Sequence, residues 1–279
     1  MPASHAPRLT ALLCLAAATA AAAAAPPAPP ATPAPDPALL ALVASPAREP
    51  RFVARDPARH PAEELTFFGL KPSMTVVELW PGGGYWTEIL GPYVAKQGHY
   101  YVALPSPGNA EEDANVARWR ARVAAQRDRL GDLIETTLGP GHFDIAPAGS
   151  ADLVLTFRNI HNWMEAGYVD DVFAACYKAL KPGGILGVEG HRGRADQPQD
   201  PKAPTGYVRE DYAIALARKA GFEFVGSSEI DANPRDTKDW VDGVWTLPPT
   251  LSQGDKDRAR YVAIGEADNF VLKFRKPAR

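Results

Sequence analysis

The sequence predicts an α/β protein with a doubly wound, mostly parallel sheet of seven strands. Short apolar segments rich in β-branched residues alternate with amphipathic segments of helical period. The apolar segments are nearly continuous, as expected where helices cover both faces of a parallel sheet. The last strand is expected to pair antiparallel with the sixth. The predicted strands are 75–79, 99–104, 133–137, 152–157, 185–189, 222–230 and 270–274.

Residues 1–25 have the pattern of a secretory signal peptide. One basic residue, Arg8, precedes an apolar run that ends in small residues. The pattern predicts a secreted or periplasmic protein with no stable membrane insertion after cleavage. A retained membrane anchor is the alternative, which the weak hydrophobicity of alanine and the prolines from Pro26 onwards disfavour. Residues 26–37 are almost all proline and alanine, a composition typical of an extended linker.

The charge balance argues against a nucleic-acid surface. The chain has 30 basic and 33 acidic residues, a formal net charge of −3. Removal of residues 1–25 takes away one basic residue and leaves 29 against 33, or −4. A chain with this balance lacks the net positive charge that attracts phosphates. The expected partner is a small-molecule substrate, and the sequence carries no signal for a particular oligomeric state.

Residues 38–279 are predicted to form one domain that begins with a helical cap at 38–72. The cap has helical segments broken by prolines, and it is interpreted as a cover over the ligand side of the sheet. Its last helix, 61–70, has proline at its first position and glycine near its end. The other predicted helices are 85–95, 109–130, 169–180 and 207–220.

An insertion is predicted at residues 231–268, before the last strand. The segment shows neither the helical nor the strand period of apolar residues. Trp240 and Trp245 suggest that it packs on the domain as a lid. Within the insertion, Asp236 and Lys238 can pair with each other or face a substrate pocket.

The turn after the first strand predicts a ligand site. An apolar strand leads into Gly82, Gly83 and Gly84, and a helix comes after them. Glycines let the backbone approach a ligand, and a helix start offers N–H groups. Glu78, near the end of the strand, can accept hydrogen bonds from ligand hydroxyls or an amine. The alternative is a tight turn whose glycines serve packing alone.

Polar side chains come after the fourth and fifth predicted strands. Because the ends of these strands share one edge of the sheet, His161 and His191 are expected to converge. A neutral imidazole can take a proton from a substrate, so His161 is the candidate base and His191 the residue that orients the substrate. Metal binding with Glu189 or Asp236 is the alternative. No short metal-ligand run is present, so no metal site is predicted, and simple loop capping stays open.

A substrate pocket is predicted around the same strand ends. Arginine side chains there can form a clamp for a carboxylate or phosphate, with solvated surface charges as the alternative. The arginines are Arg158, Arg192 and Arg209. Asn159, Asn162 and Tyr207 are placed in the same pocket, together with Asp236 and Lys238.

Several motifs resemble those of known protein families. Segments 76–84 and 180–185 resemble class I S-adenosylmethionine-dependent methyltransferases. Longer segments resemble a family of secreted bacterial proteins described as predicted methyltransferases; these are 152–163, 187–192, 206–211, 233–238, 245–249 and 264–270. The resemblance covers about residues 45–277. It implies a Rossmann-like methyltransferase fold, S-adenosylmethionine bound at Glu78 and Gly82 to Gly84, and an unknown small molecule as methyl acceptor.

Two positions depart from the family pattern. In that pattern an acidic residue closes the second strand and holds the ribose hydroxyls, whereas this chain has Leu104 and Pro105 there. Trp80 replaces the first glycine of the usual turn. These departures support an alternative function, in which a periplasmic small-molecule or metal-binding protein has kept the fold and lost the transferase activity.

Overall fold

The computed structural model describes Met1 and residues 33–278. Apart from Met1, the predicted signal peptide lies outside the described residues, as does most of the predicted linker. The helices are α1 Pro37–Val43, α2 Pro50–Val53, α3 Pro61–Phe68, α4 Thr87–Val94, α5 Ala110–Ala125, α6 Arg127–Leu130, α7 Ile160–Ala166, α8 Val169–Ala179, α9 Glu210–Lys219 and α10 Arg258–Ile264. The strands are β1 Thr75–Leu79, β2 His99–Pro105, β3 Leu133–Leu138, β4 Ala151–Phe157, β5 Leu180–His191, β6 Glu223–Ser228 and β7 Asn269–Arg275.

The seven strands form one sheet in the order β3-β2-β1-β4-β5-β7-β6. The first five pair in parallel, and β7 is antiparallel to both β5 and β6. The predicted doubly wound and mostly parallel sheet is therefore confirmed. Strand order reverses between β1 and β4, and such a reversal opens a crevice beyond the carboxyl ends of the two strands.

Helices cover both faces of the sheet, and alternate residues of each strand face opposite layers. Val76 of β1 belongs to the layer with α3, α4 and α5, which contains Leu65 and Ile89. Val77 belongs to the layer with α7, α8 and α9, which contains Phe173. The apolar character of both faces explains why the inner strands β1 and β4 lack polar alternation, whereas exposure alternates along the edge strand β6.

The cap contacts the carboxyl edge of the parallel strands at two places. Phe52 of α2 lies against Gly83 in the turn after β1. His60 Nδ1 lies 2.9 Å from Asp231 Oδ1, just beyond β6. Helix α3 begins with Pro61 and ends at Gly69, which has a φ of 87°, as the prediction of proline first and glycine last requires.

Several elements differ from the prediction. Strand β5 extends well beyond the predicted 185–189, and α7 lies directly after β4, where no helix was predicted. The predicted helix 109–130 is two helices, because Gln126 leaves the helical conformation between α5 and α6. Strand β6 is shorter than the predicted 222–230. The insertion contains a short 3-10 helix, Gly243–Thr246, and α10, whose one buried residue is Tyr261. A helix that buries only one residue has no clear helical spacing of apolar residues, so the sequence pattern did not predict it.

No helix within the described residues is long and apolar enough to span a membrane.

Candidate functional site

Two adjoining cavities lie at the carboxyl ends of β1, β2 and β4, where strand order reverses. Their volumes are about 190 Å³ and about 580 Å³. We call them together the cleft. Both are lined by Trp80, Pro105, Glu112 and Asn162. The first also has Gly82, Leu104, Asn115 and Asn159 in its wall. The cleft has the location, the size and the mixed polar and apolar lining of a small-molecule binding site.

Gly82 is the one residue of the glycine triplet that borders the cleft. Its φ is 55°, and a Cβ built there has no atom within 4 Å. Gly83 instead faces Phe52, and a Cβ on Gly84 would lie 3.3 Å from Trp119. Within residues 33–278 the amides of Gly82 and Gly83 have no backbone acceptor, so they are free to donate to a ligand.

Glu78 is buried below the cleft, between β1 and α4. Its Oε2 accepts hydrogen bonds from Thr87 Oγ1, at 2.9 Å, and from the Tyr100 hydroxyl. Its Oε1 has no partner among the described residues. Burial raises the pKa of Glu78 to about 7, although both hydrogen bonds lower it. Contact between Glu78 and a ligand stays a prediction.

Trp80 stands in the left-handed region, with a φ of 46°. For a residue with a side chain this conformation costs roughly 1–2 kcal/mol. Two contacts hold the indole: its Nε1 donates to Leu138 O at 3.1 Å, and its ring meets Trp163 edge-on at 5.7 Å. The indole therefore lies across the carboxyl end of β2 and forms part of the cleft wall.

Asn159 and Asn162 bring α7 to the cleft. Asn159 Nδ2 donates to Leu79 O at 3.1 Å and to Trp80 O at 3.3 Å, which ties the end of β4 to the end of β1. Asn162, one helical turn later, lines both cavities. His161, about 100° around the helix from Asn162, is not in the lining of either cavity.

His161 and His191 converge as predicted, with ring centroids 5.6 Å apart. Trp245 of the insertion meets the His161 ring edge-on at 5.8 Å. Nδ1 of His191 lies 2.8 Å from Oδ1 of Asn269, which can only accept, so Nδ1 carries the proton and Nε2 presents a lone pair.

Both imidazoles are held neutral. Burial, together with a smaller effect from the charge of Arg158, lowers the pKa of His161 to about 4. Burial also takes the pKa of His191 well below its usual value, with His161 and Arg158 adding to the effect. Both rings are therefore unprotonated at pH 7 and can accept hydrogen bonds, but pKa values this far below 7 make them weak bases. Within the described part of the chain no three His, Cys, Asp or Glu side chains could hold a metal ion together.

Each of the three predicted clamp arginines pairs with carboxylates of the protein. Arg158 Nη1 lies 3.4 Å from Glu266 and 3.6 Å from Glu189. Arg192 pairs with Glu229 at 2.7 Å. Arg209 pairs with Asp211 at 2.5 Å. Arg209 also lines a separate cavity of about 150 Å³ together with Tyr207 and Lys238, so contact between these side chains and a substrate stays a prediction.

Tyr207 ties the insertion to the domain through Asp236, whereas Lys238 forms an ion pair within the insertion. Asp236 accepts from the Tyr207 hydroxyl at 2.9 Å and from Trp240 Nε1 at 2.7 Å. It also accepts from the amide of Asp268 at 2.8 Å. Lys238 pairs with Asp268 at 2.7 Å. Asp236 is buried with these donors around it, which is the environment of a structural carboxylate.

Sequence reasoning missed the wall that α5 contributes to the cleft. Residues at i, i+3, i+4 and i+7 of this helix face the first cavity, namely Glu112, Asn115, Val116 and Trp119. This spacing marks one face of a helix and was available as a signal. The abundance of charge along α5 is typical of a solvated helix and obscures this face.

Comparison with known proteins shows the fold. No family model and no curated protein matches the chain. A SAM-dependent methyltransferase from Aquifex aeolicus is similar in structure, with 16% identity over 82% of this chain and 94% of that chain and a TM-score of 0.54. The [4+2]-cyclase SpnF is similar at 17% identity over 80% of this chain and 81% of that chain, also with a TM-score of 0.54. The chain has the class I methyltransferase-like fold, on which more than one chemistry is found.

Proposed function

We propose that this protein is an exported S-adenosylmethionine-dependent methyltransferase that acts on a small molecule. The observation that carries the proposal is the cleft at the reversal of strand order, with Gly82 open to it and the Gly82 amide free of backbone acceptors. The donor set fits an adenosyl amino acid: backbone N–H groups for a carboxylate, asparagine amides for polar edges and Trp80 for an aromatic or apolar surface.

In this proposal the cleft binds the methyl donor, and the two histidines contact the methyl acceptor. S-adenosylmethionine, when bound, supplies a methyl group on a positively charged sulfur. Gly82, Asn159 and Asn162 would hold it at the ends of β1 and β4. A neutral His161 or the Nε2 lone pair of His191 would take the proton that an oxygen or nitrogen acceptor must lose. Trp245 would keep water from the His161 ring.

A pair of glycine variants tests the cleft. Gly82 and Gly149 both have positive φ, 55° and 66°, and a Cβ at either position meets no atom within 4 Å. Gly82→Leu and Gly149→Leu therefore cost similar backbone strain, about 1–2 kcal/mol. Only the side chain introduced at position 82 would project into the cleft. We expect calorimetry to show that Gly82→Leu weakens S-adenosylhomocysteine at least tenfold, while Gly149→Leu leaves the affinity within about twofold.

The result that ends this proposal is simple to obtain. Binding of neither S-adenosylmethionine nor S-adenosylhomocysteine by the wild-type protein at millimolar concentration would exclude it. Equal loss of affinity in both glycine variants would place the ligand elsewhere.

A second function has its own support. The end of β2 is apolar, and the Trp80 indole covers it. These features favour a periplasmic protein that binds a small molecule on this fold without methyl transfer, and the two converging histidines are the ground for the metal-binding form of this alternative. Mass spectrometry separates the two functions: formation of S-adenosylhomocysteine from S-adenosylmethionine with a methylated product supports the first. Stabilisation of the wild-type protein by a metal ion or small molecule, lost in His161→Ala and His191→Ala, supports the second.

A further inference from the structure

The end of β2 provides no hydrogen-bond acceptor side chain to the cleft. Leu104 is buried, and Pro105 is the last residue of the strand. Pro105 is paired with Leu138 of β3, and the Trp80 indole donates to that same Leu138 carbonyl. The indole thus passes over the strand end at which the methyltransferase pattern has an acidic residue. A ribose diol in the cleft would need its acceptor from another element.

Helix α5 supplies the facing wall and is fixed in place. Trp119 is 2% exposed, and its Nε1 donates to Thr87 Oγ1 at 3.3 Å. Thr87 in turn donates to Glu78 at 2.9 Å. This buried chain of hydrogen bonds anchors α5 on α4 and β1, so the residues one and two turns before Trp119 have a set position at the cleft.

Glu112 lies in this wall and lines both cavities. Its side chain is partly buried, while its neighbours Glu111 and Asp113 are exposed. Burial raises the pKa of Glu112, and the charges of Glu111 and Asp113 raise it further; no hydrogen bond within the described residues opposes the change. A carboxylate in this state gains from donors that a ligand brings.

We propose that Glu112 is the ribose-binding carboxylate of this protein, supplied by α5 in place of the missing acid at the end of β2. The inference rests on the proposed function, because it requires an adenosyl ligand in the cleft. The two carboxylate oxygens would accept from the 2′- and 3′-hydroxyls. Charge-assisted hydrogen bonds of this kind change affinity by about 10- to 100-fold.

Calorimetry on the full chain with two ligands and two variants tests the assignment. Glu112→Gln keeps the side-chain shape and removes the charge, and Glu111→Gln makes the same change at an exposed position on the same helix. The ligands are 5′-methylthioadenosine and its 2′-deoxy analogue. We expect Glu112→Gln to weaken methylthioadenosine at least tenfold and to reduce the preference over the deoxy analogue. Glu111→Gln should keep both properties within about twofold.

The outcomes separate this inference from the proposed function. If the wild-type protein binds methylthioadenosine and Glu112→Gln binds it equally well with the same preference, the role of Glu112 is overturned and the cleft keeps its ligand. If the wild-type protein binds neither methylthioadenosine nor S-adenosylhomocysteine, both proposals fall. Circular dichroism of both variants shows whether a loss of binding reflects a loss of folding.

Discussion

Glu266 joins the helical cap to the insertion, and removal of its charge is expected to destabilise the protein. Arg55 holds the carboxylate with two hydrogen bonds, at 2.6 Å and 2.7 Å. Arg59 and Arg158 each approach it to 3.4 Å. Burial works to raise the pKa of Glu266, but the Arg55 hydrogen bonds and the nearby arginine charges prevail and lower it from 4.5 to about 2. The change that tests this arrangement is Glu266→Gln.

The pKa sets the size of the effect. The difference between 4.5 and about 2 corresponds to about 3 kcal/mol, at about 1.36 kcal/mol for each pH unit. The side chain is 12% exposed, so solvent screening reduces this value little. The same size is expected when one partner of a buried ion pair is removed, about 3–5 kcal/mol. With a urea m-value of about 3 kcal/mol per M, the unfolding midpoint should fall by about 1 M at pH 7.

The pH dependence of the difference is the sharper measurement. A carboxyl group whose pKa is lowered in the folded state stabilises the protein above its unfolded pKa of 4.5. This contribution is lost as pH falls from 4.5 towards 2. Urea unfolding at a series of pH values should therefore show the difference between wild type and Glu266→Gln shrinking over that interval. Asp196→Asn, which breaks an exposed pair with Arg194, is the control and should change little.

Two results would contradict this account of Glu266. Equal stability of wild type and Glu266→Gln at pH 7 would show that the three arginines do not depend on the charge. A difference at pH 7 that persists undiminished at pH 2.5 would assign the loss to packing.

Two further predictions concern the insertion and the histidines. Asp236→Asn removes the charge to which the Tyr207 hydroxyl and the Trp240 indole both donate, so hydrogen exchange of residues 240–247 should accelerate at least tenfold. The control is Asp239→Asn, at an exposed neighbouring position, which should leave this exchange unchanged. Equal exchange in both variants would contradict the anchoring role of Asp236. In an NMR titration from pH 7.5 to 5, the His161 ring should stay neutral because its pKa is about 4. The His60 ring should become protonated, because its hydrogen bond to Asp231 raises its pKa. A titration midpoint near 6.5 for His161 would refute the burial of its ring.

The fold was predictable because its signals are local. Strands β1, β2, β4 and β7 are short, mostly apolar runs, and the cap helix α3 has its proline and glycine at the expected ends. The meeting of His161 and His191 was also predictable, since the topology alone brings the ends of β4 and β5 together. Once the strand order is known, residues at these ends are neighbours whatever their side chains do.

The partners of the arginines were not predictable for the opposite reason. Arg158 meets Glu266, which lies 108 residues away in sequence, and Arg192 meets carboxylates on the segments that flank β6 and β7. The positions of those carboxylates depend on how the insertion folds, and the insertion has no periodic pattern to read. Glu112 was missed through the same dependence: its helix is charged all along, and only packing of Trp119 on Thr87 turns one face towards the cleft.

Two of the seven non-glycine residues with positive φ in the described chain lie where β1 and β4 end, and their strain supports a ligand site in the crevice between them. Trp80 and Arg158 come directly after these two strands, and both adopt left-handed φ values, 46° and 60°. The Trp80 amide donates to Ala103 O at 2.9 Å, and the Arg158 amide donates to Glu189 O at 2.8 Å. Each residue thus adds one more hydrogen bond to the sheet before the chain changes direction. Each conformation costs roughly 1–2 kcal/mol where a glycine would cost almost nothing. The chain then reaches Gly82 on one side and Asn159 on the other, both in the wall of the cleft. A fold shared with a cyclase does not decide between methyl transfer and another chemistry, but strain placed on both sides of one crevice favours a function there.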